Sequence, residues 1–237
     1  MSPGGSEGVG HERLRGALGI FGGTFDPIHL AHLAVAEAAC DDLGLAGVTF
    51  IPAAQPPHKA GRRLTPVLHR LAMVEAAIAD NPRFSVSRIE IDRVGPSYTA
   101  DTLTALADAG VGPLALILSA EAVADLPSWH DPQRVLALAT LVIAPRDGYA
   151  DIAPDWFEST FPGVPRSVVL LDGPRMRLAA SDIRRRAAAA RSLRYLVPDA
   201  VATYIGDHGL YRAERRLTGP RPTLVRPEPA TRRTHRS

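Results

Sequence analysis

Short apolar runs alternate with longer stretches of helical periodicity along this chain, and most are bounded by glycine, proline or polar turns. Residues 17–21 read as a buried first strand. Beyond His29, the apolar positions Leu33, Val35, Ala36, Ala39, Cys40 and Leu43 recur at helical spacing until Gly44 closes the pattern. Residues 48–51 form a second strand stopped by Pro52, and a proline-rich loop, Pro56-Pro57-His58-Lys59, follows. The spacing of Leu68, Leu71, Ala72, Val74 and Ile78 predicts a helix over 66–79, and 84–91 alternate like a strand. Ser97-Tyr98-Thr99 opens a helix through Leu106. Further strands are predicted at 114–118, 141–144 and 168–171, then an arginine-rich helix from Ser181 and a terminal one from Pro198 to about Gly209. Strand–helix alternation of this kind predicts a doubly wound, mostly parallel α/β sheet with right-handed crossovers. Ligands then bind beyond the carboxyl ends of the strands, where strand order reverses.

At 237 residues, with 46% hydrophobic and 22% charged positions, the chain suits one compact domain, expected over 17–213. Residues 1–16 are expected to be a flexible leader. Residues 214–237 carry seven arginines, two glutamates and four prolines, and read as a disordered, solvated tail. There is no apolar run of about 18 residues to span a membrane and no secretion signal, and the single cysteine excludes a disulfide framework. A cytoplasmic protein with no membrane and no nucleic-acid partner is expected, and a homo-oligomer is left open. Lys59 is the only lysine among the 27 lysines and arginines.

The chemistry concentrates after the first strand, in Gly22-Gly23-Thr24-Phe25-Asp26-Pro27-Ile28-His29-Leu30-Ala31-His32. Two glycines let backbone approach a phosphate while a helix N-terminus presents N–H groups and its positive dipole end. His29 and His32, three residues apart, share one helix face. The run ends in neither Gly-Lys-Ser/Thr nor a Gly-x-Gly-x-x-Gly fingerprint, so neither common nucleotide loop is present. As zinc ligands the histidines lack companions, and no protein metal site is expected. Two readings stay open from the residues alone: satisfied structural histidines, or donors to a phosphate.

This segment resembles the Gly-Gly-Thr-Phe-Asp-Pro-x-His-x-Gly-His signature of the nucleotidyltransferase superfamily, and more narrowly the bacterial nicotinate-nucleotide adenylyltransferases. The resemblance runs from about Leu18 to Arg212. Its other landmarks are Pro56-Pro57-His58-Lys59, Pro96-Ser97-Tyr98-Thr99, Leu126-Pro127-Ser128-Trp129, Pro145-Arg146-Asp147-Gly148-Tyr149, Ser181-Asp182-Ile183-Arg184 and Gly209-Leu210-Tyr211-Arg212. It implies a Rossmann-like sheet of nucleotidyltransferase type. The implied reaction transfers AMP from ATP, with Mg²⁺, to nicotinate mononucleotide, giving deamido-NAD and pyrophosphate. Thr24, His29, His32 and Arg184 are implied as catalytic, His32 with the larger effect. Gly22, Gly23, Phe25, Ser181, Glu121 and Arg146 are implied at ATP, and Lys59, Thr99 and Trp129 at the mononucleotide. Ser181 is expected to cap its helix, with Arg184 offering a fork of donors one turn in. Without the resemblance, Trp129 reads equally as a buried anchor, Thr99 as a helix-start residue and Lys59 as a mobile surface lysine.

Three departures stand out. Ala31 replaces the glycine between the histidines, Glu121 replaces an aspartate after the third core strand, and Ala179 replaces the first serine before the Ser181 helix. They motivate one alternative, a catalytically weak paralogue that binds pyridine nucleotides as a sensor or partner; the other alternative is a related transferase with another acceptor, against which Thr99 and Trp129 argue.

Overall fold

The structure, a computed structural model, describes residues 14–59, 61–145, 154–164 and 168–212. The strands are β1 (Leu18–Gly23), β2 (Gly47–Pro52), β3 (Phe84–Val86), β4 (Leu114–Ser119), β5 (Ala139–Ala144) and β6 (Val168–Leu170). They form one sheet in the order β3-β2-β1-β4-β5-β6, and every pairing is parallel. Between and after them come α1 (Leu30–Leu43), α2 (Val67–Ile78), α3 (Thr99–Asp108), α4 (Ala120–Ala124), α5 (Pro132–Leu138), α6 (Pro154–Thr160), α7 (Ala180–Ala188) and α8 (Asp199–Asp207).

A parallel sheet covered on both faces needs strands that are apolar on both sides. Successive residues of β4 show it: Ala115 and Ile117 enter one core with Val35, Ala39 and Cys40 of α1, while Leu114, Leu116 and Leu118 enter the other with Ala100 and Leu103 of α3. All six residues of β2 are buried. Gly44 ends α1 in the left-handed conformation (φ 62°), the backbone geometry that glycine supplies at least cost.

Strand pairing opens a crevice at the point where strand order reverses. β1 pairs with β2 along its whole length, to Gly23 beside Pro52, and β4 pairs with β5 to Ser119 beside Ala144. Between β1 and β4, however, the register runs only from Leu18–Leu114 to Ile20–Leu116. The carboxyl halves of these two central strands therefore part, and the loops that leave them line the gap. This is the place where an open α/β sheet binds its ligand.

Two expectations need correction. The strand expected over 84–91 stops at Val86. The Ser87 N–H still reaches the Phe50 carbonyl, but Ile91 and Asp92 then donate to the Arg88 carbonyl and turn the chain, with an Arg88–Asp92 ion pair across the turn. Alternation of apolar residues continues through that turn, which is why the pattern misleads. Leu14, placed in the expected leader, is buried in the core beside Ala17, so ordered chain reaches at least that far. Arg146 and the tail over 214–237 lie outside the described residues. Among the described residues no helix is long and apolar enough to cross a membrane.

Candidate active site

The loop from Thr24 to His29, between β1 and α1, is held in one shape from several sides. Phe25 adopts φ 46°, a left-handed conformation that costs a non-glycine residue about 1–3 kcal/mol. Its ring offsets that cost by packing edge-on against Phe21, Phe50 and His32, at centroid distances of 6.0, 5.8 and 5.2 Å. Gly23 is required beneath it, since a Cβ there would lie 2.9 Å from the Phe25 ring. A Cβ at Gly22 would meet nothing within 4 Å, so the neighbouring backbone stays open to an incoming group. Phe25 itself, expected at ATP, is only 3% exposed. Its side chain shapes the loop, and only its backbone can face a ligand.

Buried polar groups do the rest. Arg70 of α2 is 1% exposed and spends its guanidinium on three carbonyls: Thr24 at 2.7 Å, Thr65 at 2.9 Å and Ala54 at 3.4 Å. It thereby ties the loops after β1 and β2 to one helix. Asp26, 4% exposed, accepts from the Tyr211 hydroxyl at 2.7 Å and from the Thr65 N–H at 3.3 Å. Neither Arg70 nor Tyr211 is among the residues expected at the site. Arg70 had a signal, a charge within the apolar stripe formed with Met73, Val74 and Ala77. Tyr211 had none beyond its place in the closing Gly-Leu-Tyr-Arg landmark.

The two histidines meet at the start of α1. His29 is the N-cap and is 6% exposed, and His32 is the third helical residue. Their rings stack with centroids 3.7 Å apart. The His29 backbone N–H donates to Nδ1 of His32 at 3.2 Å, the third helical residue accepting as it does in a capping box. With Nδ1 accepting, the neutral His32 ring carries its proton on Nε2, ready to donate.

Cations from distant parts of the chain gather on the same loop. Arg184 Nη1 donates to the Asp26 carbonyl at 2.6 Å, and Lys59 Nζ donates to Thr24 Oγ1 at 2.9 Å. Burial is the main influence lowering the Lys59 pKa, followed by the positive charge of Arg184; Arg62 and Arg70 push the same way and Asp26 opposes them. Two grooves flank the cluster. One, of about 470 Å³, is lined by Pro56, Lys59, Arg62, Leu64 and Pro96. The other, of about 560 Å³, is lined by Ser181, Asp182, Arg184, Arg185 and Tyr211. Cationic groups around open space suit an anionic ligand with several phosphates.

Ser181 is displaced from its expected role. The N-cap of α7 is Ala179, in extended conformation, and Ser181 is the second helical residue. The Asp182 and Ile183 N–H groups donate to the Ala179 carbonyl, so the first turn starts two residues earlier than the serine predicts. The N-cap side chain makes no capping bond. Glu121 lies in the first turn of α4, which Ser119 caps by accepting from the Ala122 N–H at 3.3 Å.

Thr99 and Trp129 are brought to one neighbourhood through their sequence neighbours. The Tyr98 ring stacks on His130 at 4.2 Å, and Asp101 pairs with Arg134 at 2.9 Å, joining α3 to α5. Thr99 is the first helical residue of α3, and Trp129 is half-buried against the second core rather than fully interred. Gln55 and Ser97 exchange two hydrogen bonds, at 3.0 and 3.1 Å, which seat this neighbourhood beside the loop that carries Lys59.

Comparison with known proteins agrees with this geometry. The profile of the cytidylyltransferase-like family matches residues 20–186. A protein of Roseiflexus sp. (strain RS-1), named "Probable nicotinate-nucleotide adenylyltransferase", is 51% identical over 195 residues, covering 82% of this chain and 98% of its own. One of the same name from Thermomicrobium roseum is 48% identical, covering 82% and 91%. Among solved structures, the nicotinic acid mononucleotide adenylyltransferase of Plasmodium falciparum complexed with NaAD superposes with a TM-score of 0.68 at 18% identity, covering 82% of this chain and 97% of that one. The strand order, the glycine turn and these identities lead to one assignment: the chain belongs to the nicotinate-nucleotide adenylyltransferases of the cytidylyltransferase-like family.

Proposed function

We propose that this enzyme joins the AMP part of ATP to nicotinate mononucleotide, releasing pyrophosphate and making deamido-NAD for NAD biosynthesis. The observation that carries this reading is the convergence of Arg184 and Lys59 on the Thr24–Asp26 segment, directly before the stacked His29–His32 pair. A 5′-phosphate oxygen of the mononucleotide attacks the α-phosphorus in line. A new P–O bond forms as the bond to the β-phosphate oxygen breaks, and no protein nucleophile is needed. Catalysis then rests on positioning and on charge stabilisation.

Each side chain has a part in this scheme. His32 donates from Nε2 to a non-bridging α-phosphate oxygen as charge shifts there, and His29 supports it from beneath. The Gly22–Gly23 backbone and Thr24 cradle the same phosphate. Arg184 and the start of α7, Ser181 included, hold the departing pyrophosphate. Lys59 reaches substrate phosphate from its proline-stiffened loop, and Glu121 and Arg146 complete the ATP side. Thr99 and Trp129 hold the nicotinate end, by hydrogen bonding and by stacking. Among the described residues no group of three or more His, Cys, Asp or Glu side chains is placed to hold a metal ion. Mg²⁺ would accompany ATP and would supply neutralisation of its phosphate charge, with few ligands from the protein. The reaction is placed in the cytoplasm, where a buried free thiol such as Cys40 stays reduced.

Pyrophosphate release with ATP, Mg²⁺ and nicotinate mononucleotide tests the reading. Turnover with that acceptor and much weaker turnover with nicotinamide mononucleotide is the expected result. Binding of the mononucleotide without turnover would identify a nucleotide-binding paralogue instead, and turnover restricted to another acceptor would reassign the substrate.

A further inference from the structure

The closing Gly209-Leu210-Tyr211-Arg212 segment has no part in the chemistry above, yet it reaches the centre of the site. After α8 the chain turns through Gly209 (φ 59°), and Tyr211 itself adopts φ 62°, a left-handed conformation that a tyrosine rarely adopts. That geometry carries its hydroxyl to within 2.7 Å of Asp26 Oδ1, and to 3.9 Å from Met73 Sδ. The tyrosine pKa is pushed far above its usual value, by burial first and by the Asp26 carboxylate second, so the hydroxyl stays a donor throughout the working pH range.

Asp26 is the residue through which this contact can act. Its carboxylate takes the Tyr211 hydroxyl and the Thr65 N–H, while its own carbonyl takes Arg184 Nη1 at 2.6 Å. The two flanking residues are Phe25, strained and packed, and Pro27, whose peptide bond to Asp26 is cis. One residue thus links the segment after α8 to the loop and to the arginine assigned to the leaving group. A carboxylate that loses one of two hydrogen bonds in a buried setting reorients, and the peptide carrying the Arg184 acceptor moves with it. Misplacement of a catalytic group by about 1 Å can cost on the order of 100-fold in rate.

We propose that Tyr211 is a positioning residue for adenylyl transfer: through Asp26 it fixes the loop carbonyl on which Arg184 is oriented, making the chain's closing segment part of the active site's support. The proposal rests on the reaction assigned above. It predicts that Tyr211 matters to turnover rather than to acceptor binding, since the nicotinate ring is assigned to Thr99 and Trp129, whereas the Tyr211–Asp26 contact bears on Arg184.

The test is steady-state kinetics and thermal melting of Tyr211→Phe, Asp26→Asn and the double variant of the full chain. Tyr211→Phe keeps the ring against Met73 and removes only the donor. The expected result is a fall in kcat of about 10-fold or more with KM for nicotinate mononucleotide within about twofold of wild type, and a double variant no slower than Asp26→Asn alone. A kcat within about twofold of wild type in Tyr211→Phe would overturn the proposal, leaving the tyrosine as packing. Additive losses in the double variant would overturn the route through Asp26. If Asp26→Asn does not fold, the split between kcat and KM in Tyr211→Phe decides alone. Wild-type protein that releases no pyrophosphate would instead remove the reaction assignment, and the proposal with it.

Discussion

His32 shows how one side chain can be given a direction before any ligand arrives. Its Nδ1 is taken by the His29 N–H at 3.2 Å, and its ring is fixed by stacking on His29 and by the edge of Phe25. A neutral ring held this way carries its proton on Nε2, a donor whose direction the packing fixes before charge develops on a phosphate. Removing one donor of that kind lowers turnover by about 10²–10³-fold. His32→Ala is expected to lose that much in pyrophosphate release. It also loses a hydrogen bond at the helix start, worth about 1 kcal/mol, so melting should shift only modestly. A variant that releases pyrophosphate at the wild-type rate would return His32 to the structural reading. Arg70 illustrates the opposite case. It is buried and donates to three carbonyls, so it builds the site without facing it.

At the scale of elements, the glycine turn separates a packing requirement from a functional one. At Gly23 an added methyl would strike the Phe25 ring, which has no free space to move into, and overpacking of this sort costs about 1–3 kcal/mol. At Gly22 an added side chain has open space, and a β-branched residue suits a strand. Gly23→Ala is therefore expected to lower the melting temperature. Gly22→Val should melt like wild type and yet bind ATP poorly, with kcat/KM for ATP falling by an order of magnitude or more on the scale of a blocked donor. Equal melting losses in the two variants would refute the distinction.

The same turn shows what was legible beforehand. Its glycines, hydroxyl and histidines are local, and the strand–turn–helix around them announces itself through periodicity. So do β1, β2, β4 and β5, because a buried parallel strand is apolar throughout. Three features were not legible, two because a backbone turn overrides the side-chain pattern and one because its partner is remote in sequence. The apolar alternation of 84–91 continues past the last ladder bond at Ser87. Ser181 looks like a cap, but the backbone closes its first turn on Ala179. Asp26 is joined by Tyr211, a partner 185 positions away, with no pattern between them to reveal the pairing.

Across the whole molecule, the fold assembles positive charge at the open end of the sheet and leaves it poorly balanced. Lys59 comes from the loop after β2, Arg184 from α7 and Arg70 from α2, and Asp26 is the one anion among the charges acting on Lys59. The lowered Lys59 pKa means that the ligand-free fold disfavours its charged form. Because the folded-state pKa lies below the unfolded value of 10.5, this penalty is fully present below the folded pKa, fades as pH rises through it, and is gone above 10.5, where both states are neutral. At neutral pH the site is held at an electrostatic cost that a polyphosphate removes. Two outcomes follow for Lys59→Met. The ligand-free variant should melt no lower than wild type, because relief of the burial penalty on the charge, and of repulsion by Arg184, offsets the lost bond to Thr24. Its stabilisation by ATP should shrink well below that of wild type, for which saturation at about 100 times Kd is worth about 2.7 kcal/mol. Raising the ionic strength should weaken the wild-type shift as the Debye length falls below about 8 Å. Thermal melts with and without ATP decide it: a variant that melts lower than wild type while keeping the full ATP shift would mean that Lys59 braces the loop and does not meet the ATP phosphates.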